Sequence, residues 1–177
     1  FGTGKRIGKT AVDIWFVRQL IDRGIGPVVV SLGRGGPEAP ELVERKVDED
    51  HLLALAQGGR HAASDYLENS FFNDVPSIGT RRCGGGFFGA IAYHGLESAL
   101  HLANGVSSDL VIIEGSGASL IPHRNDANLL VVGIQKGDED LFGYTTPLRV
   151  LLADAVLVTM TGADGEGERL ERFRAYV

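Results

Sequence analysis

A glycine-rich turn running directly into a lysine and a threonine, Gly2-Thr3-Gly4-Lys5-Arg6-Ile7-Gly8-Lys9-Thr10, has the makings of a phosphate-binding loop. Backbone N–H groups along such a loop wrap a terminal phosphate, and the Lys9 ammonium neutralises charge on the group being transferred. The Thr10 hydroxyl, in the first turn of the helix that follows, is suited to Mg²⁺. Gly4, Lys5, Arg6, Ile7, Gly8, Lys9 and Thr10 are therefore the expected nucleotide contacts, and Thr10 a metal ligand. The strict spacing G-x-x-x-x-G-K-[ST] asks for glycine where Thr3 stands. A plain helix start with a glycine turn is the competing reading.

A second half of a nucleotide site follows at Asp109-Leu110-Val111-Ile112-Ile113-Glu114-Gly115-Ser116-Gly117. An apolar strand ending in an acid presents a carboxylate to nucleotide-bound Mg²⁺ at the carboxyl edge of a sheet. Glu114 is that acid, and Gly115 and Gly117 let backbone approach phosphate. By itself the pattern also fits a solvated acid at a strand end; its weight comes from the loop at residues 2–10.

These residues need a frame. Helical spacing predicts a helix over 10–23, with Ala11, Ile14, Trp15, Val17 and Leu20 as its apolar face and Gly24 ending it. Apolar runs predict strands at 27–32, 75–80, 110–113, 129–134 and 155–160. Helices are expected over 48–57, 62–72, 87–104 and 165–176, with glycine-rich turns between. Strands apolar throughout and separated by helices imply a mostly parallel sheet with helices on both faces, a three-layer αβα arrangement. Only Phe1 precedes the loop, where a buried strand is the usual prelude, so an excerpt of a longer chain is expected.

Composition narrows the classes. The 177 residues suit a single domain able to bury about two thirds of its unfolded surface. A formal charge of −6 argues against a general nucleic-acid binder. No run approaches the roughly 18 apolar residues of a membrane span. The single cysteine, Cys83, excludes an internal disulfide and fits a reducing cytoplasm. Cys83 reads as a small packed residue, and His94 with His101 lack a third metal ligand. Gln135-Lys136-Gly137-Asp138 is weakly similar to the Asn-Lys-x-Asp guanine box, but Gln in place of Asn favours ATP over GTP.

The loop and the Glu114-Gly115-Ser116-Gly117 turn together resemble the dethiobiotin-synthetase-like branch of P-loop NTPases. Gly33-Arg34-Gly35-Gly36-Pro37-Glu38, His61-Ala62-Ala63-Ser64-Asp65 and Arg81-Arg82-Cys83-Gly84-Gly85-Gly86 sharpen the likeness. With them the chain resembles the cyclic 2,3-diphosphoglycerate synthetase family of methanogenic and thermophilic archaea, from Gly2 to about Met160. That resemblance implies an ATP- and Mg²⁺-dependent ligase that closes 2,3-diphosphoglycerate into a cyclic pyrophosphate. Bringing two phosphates into contact demands positive charge, and guanidinium grips phosphate bidentately. Arg34, Arg81 and Arg82, in loops after strands, are then acceptor ligands, while Lys5 and Arg6 add charge near the γ-phosphate. Lys9, Lys5, Arg81 and Arg82 form the implied catalytic set. His61 and Ser64 are candidate substrate contacts and Asp65 a further Mg²⁺ ligand, against the simpler reading of a helix N-cap series.

The implied partner is a small phosphorylated acid, with neither nucleic acid nor membrane; a homodimer is compatible. Residues 1–177 are expected to form one P-loop nucleotide-binding domain. Two other functions fit the same loop: a ligase of the dethiobiotin-synthetase type, and a nucleotide-gated accessory NTPase working through a protein partner.

Overall fold

The computed structural model describes residues 1–33, 36–44, 46–60, 62, 64–82, 95–115, 117, 119–143, 145–162 and 166–177. Two compact units emerge, one formed by Phe1–Val12 with Gly117–Val177, the other by Asp13–Ser116.

The second unit is built on strands β1 (Pro27–Gly33), β2 (Glu41–Val43), β3 (Ser77–Arg81) and β4 (Leu110–Glu114), in the order β2-β3-β1-β4. The valine-rich β1 runs parallel to both β3 and β4 and is buried almost end to end, as a strand with neighbours on both sides must be. The short β2 pairs antiparallel with β3 and was not expected from the sequence. Helix α1 (Lys9–Ile21) sends Val17 into a cluster with Val29 and Val75, flanked by Ile21 and Ile112. The predicted apolar face of α1 is corrected here. Asp13 and Val17 are the residues it buries, whereas Trp15 is 55% exposed.

Helix α2 (Glu49–Gln57) starts where the Asp48 carboxylate accepts from the His51 N–H at 2.8 Å, an N-cap that satisfies an otherwise orphaned donor. Helix α3 (Asp65–Asn73) begins three residues later than expected, with Ser64 at its N-cap position. Tyr66 and Leu67 of α3 pack with Val47, Leu52 and Leu55 in a second cluster. Helix α4 (Leu96–Asn104) starts after Gly95, within the stretch 87–104 where one helix was expected; residues 87–94 lie outside the described residues.

In the first unit β5 (Leu129–Gly133) pairs parallel with β6 (Ala155–Thr159). The chain start runs along β5: Gly2 forms a parallel bridge to Val131, whose N–H and C=O bond to Phe1 and Thr3. Helices α5 (Asp138–Phe142), α6 (Thr146–Leu152) and α7 (Glu166–Tyr176) complete it. Leu130, Val132 and Ile134 pack against Leu141 of α5 and Phe173 of α7. Neither α5 nor α6 was expected. Among the described residues no helix is long and apolar enough to cross a membrane.

Candidate active site

The loop at the head of α1 is shaped by three local demands. A Cβ built on Gly2 would stand 2.7 Å from Ile7 Cδ1 and 2.8 Å from Lys9 Cδ, so a side chain here would push the Ile7 and Lys9 side chains aside. Thr3 is still part of the β5 pairing, through its N–H on the Val131 carbonyl, and needs no left-handed backbone. That explains why threonine is tolerated where the strict spacing has glycine. The left-handed positions are Gly8 (φ 82°) and Arg6 (φ 56°), the latter at a strain of about 1 kcal/mol for a side-chain-bearing residue.

Hydrogen bonds then orient the loop. Lys9 Nζ donates to the Gly4 carbonyl (2.6 Å), Gln135 Nε2 to Arg6 (3.2 Å) and Thr159 Oγ1 to Ile7 (2.6 Å). The Val12 N–H takes the Gly8 carbonyl at 2.9 Å. With these carbonyls held, the N–H groups of Gly4, Lys5, Arg6, Ile7 and Gly8 meet no acceptor among the described residues. Backbone donors left this way at a helix N-terminus are a fit for an oxyanion such as phosphate. Gln135 and Asp138 are engaged within the protein, Gln135 on Arg6 and Asp138 with Arg169 and Arg172. The Gln-Lys-x-Asp turn is thus tied to the loop through Gln135 and to α7 through Asp138.

In the other unit the carboxyl ends of β1, β3 and β4 carry polar groups. Glu114, the last residue of β4, is buried and accepts from Ser31 Oγ at 3.2 Å, its register partner on β1. Arg81 ends β3 opposite Gly33. Its N–H bonds to Pro37 (3.0 Å) and its Nε to Gly36 (3.3 Å), while the Arg82 N–H bonds to Gly33 (2.9 Å). The glycine loop after β1 is thus stitched to the end of β3, and both arginines leave from the stitched segment.

Ser64 and Asp65 open α3. The charge of Asp65 helps raise the carboxyls of Glu68 and Asp13, burial being the larger cause for each. Asp13 is pushed up to about 6, against an opposing hydrogen bond from Asn69 Nδ2 at 2.6 Å. Arg34, His61, Cys83 and His94 lie outside the described residues. Among the described residues no group of three or more His, Cys, Asp or Glu side chains gathers to hold a metal.

Comparison with known proteins decides the lineage. A family model described as "Cyclic 2,3-diphosphoglycerate synthetase, P-loop domain" matches residues 1–177. The chain belongs to this family. Proteins named cyclic 2,3-diphosphoglycerate synthetase share 43% identity over 96% of the chain in Thermococcus kodakarensis and 44% over 98% in Thermococcus onnurineus. In Methanothermobacter thermautotrophicus the figures are 39% and 90%. The chain spans about two fifths of the length of these relatives: 40%, 40% and 35%. The family match extends past Met160, where the expected likeness stopped, and the fold is the expected α/β P-loop class with a mostly parallel sheet.

Sequence reasoning passed over Ser31, Asp13, Asn69 and Thr159, and weighed Gln135 only as part of a base-reading box. Ser31 stands alone as the polar residue within the apolar run of β1, a signal that was there to read. Asp13 falls four residues after Lys9 in a helix whose neighbours at 14–17 are apolar, which hid it.

Proposed function

We propose that this chain is the nucleotide-binding domain, residues 1–177 forming one domain, of an ATP- and Mg²⁺-dependent ligase acting in the cytoplasm. The reaction closes 2,3-diphosphoglycerate to its cyclic pyrophosphate, with ATP converted to ADP and phosphate. The observation that carries this reading is the run of unengaged N–H groups from Gly4 to Gly8 leading to Lys9, in a chain of this family.

In this reading ATP transfers its γ-phosphoryl group to one phosphate of the acid. The other phosphate then attacks the phosphate bonded to the carbon skeleton, expelling inorganic phosphate and closing the ring. Lys9, Lys5 and Arg6 stabilise charge on the transferred group. Arg81 and Arg82, with Arg34, His61 and Ser64, bind the acceptor's phosphates. Thr10, Glu114 and Asp65 would hold Mg²⁺, which supplies charge neutralisation on the phosphates when bound.

Arginine substitution in the full-length protein tests the acceptor assignment. Arg81→Ala should raise KM for 2,3-diphosphoglycerate by roughly tenfold to a hundredfold, the scale of a lost charge-assisted contact, and leave KM for ATP within about twofold. Arg81→Lys should recover only part, since a point charge lacks the planar fork. Loss of ATP affinity at unchanged acceptor KM would transfer Arg81 to the nucleotide.

A further inference from the structure

Lys136 lies in the turn after β5, half-buried, its N–H on the Gly133 carbonyl at 3.1 Å. A Cβ built on Gly4 would stand 4.0 Å from Lys136 Cε. The end of this side chain therefore lies over the residue whose carbonyl already receives the Lys9 ammonium. The preceding Gln135 ties the same turn to the Arg6 carbonyl, so two consecutive residues of one turn reach the loop.

The charge balance at the turn is unusual. Asp138, the acid nearest in sequence, faces Arg172 (3.0 Å) and Arg169 (3.7 Å) of α7. Among the described residues Lys136 makes no side-chain hydrogen bond and no ion pair. Half-buried ammonium groups converging on one loop repel each other. An anion in the loop turns that repulsion into attraction for both.

We propose that Lys136 is a second phosphate clamp, contacting the terminal phosphate of a nucleoside triphosphate held in the loop. Gln135 acts as a positioning residue: its amide holds the Arg6 carbonyl and fixes the turn from which Lys136 reaches. Lys136 thereby senses whether the third phosphate is present, which ADP lacks. This rests on the reading that the loop at residues 4–10 binds ATP.

The test measures equilibrium binding of ATPγS and of ADP, by calorimetry, to full-length protein carrying Lys136→Gln, Lys136→Met or Lys136→Arg. Gln and Met should each weaken ATPγS roughly tenfold or more and leave ADP within about twofold; Arg should restore most of the loss. Met keeps the apolar stem, so wild-type ATPγS binding by the Met variant would reduce Lys136 to packing and overturn the clamp. Equal losses for both nucleotides would overturn it as well. A Lys9→Ala arm separates the two claims. If Lys9→Ala binds ATPγS normally, the loop reading itself fails; if Lys9→Ala loses binding while Lys136→Gln keeps it, only the clamp falls.

Discussion

Asp13 holds its carboxylate 2.6 Å from the Asn69 amide, out of water, where a negative charge is poorly solvated. Burial wins over the hydrogen bond and raises its titration to about 6. A protonated carboxyl can also donate to Asn69 Oδ1, which is buried without a partner among the described residues. The sign follows from linkage. The folded state binds this proton more tightly than the unfolded chain, so Asp13 favours folding below the ordinary aspartate value. That advantage fades as pH rises towards 6 and is gone above it. Asp13→Asn keeps the shape and removes the charge. The variant should gain on the wild type by on the order of 2–3 kcal/mol between pH 4 and pH 7.5 in urea melts. An offset equal at both pH values would contradict the assignment. The loop pattern that proposes Gly8, Lys9 and Thr10 could be read from local spacing alone. Asp13 could not, because its meaning depends on Asn69, 56 positions away.

Among the elements, the loop after β1 has most control over how arginine is presented. A Cβ built on Gly36 would overlap the Thr80 carbonyl oxygen and stand 2.7 Å from its carbon, with backbone on both sides. Neither side can yield without breaking the Arg81 N–H to Pro37 bond or its neighbours. Gly36→Ala should therefore lower unfolding free energy by about 1–3 kcal/mol in chemical denaturation, whereas Gly24→Ala meets no neighbouring atom and should act only through its φ of 77°. An unchanged denaturation midpoint for Gly36→Ala would show that this contact relaxes freely. Helix α1 could be read from helical spacing, and β1 and β5 from their continuous apolar runs. Strand β2 and helices α5 and α6, three, five and seven residues long, could not. Segments without a full apolar run or several helical turns are held by tertiary packing, as Leu141 in the β5 core illustrates.

At the scale of the whole molecule, the parallel pairing of β1 with β3 and β4, and of β5 with β6, was implied by apolar strands alternating with helices. Their partition into a four-stranded and a two-stranded sheet was not, because strand order is a matter of long-range pairing that composition does not encode. The lineage was legible in combined motifs, each weak alone. Relatives more than twice as long as this chain make the full-length protein the proper subject of any activity test. The decisive measurement follows phosphorus NMR of that protein with ATP, Mg²⁺ and 2,3-diphosphoglycerate. The prediction is that a cyclic pyrophosphate signal grows in step with ADP and inorganic phosphate, and that Lys9→Ala slows it by several orders of magnitude. ATP consumed while 2,3-diphosphoglycerate stays unchanged, or a Lys9→Ala variant that cyclises normally, would contradict it.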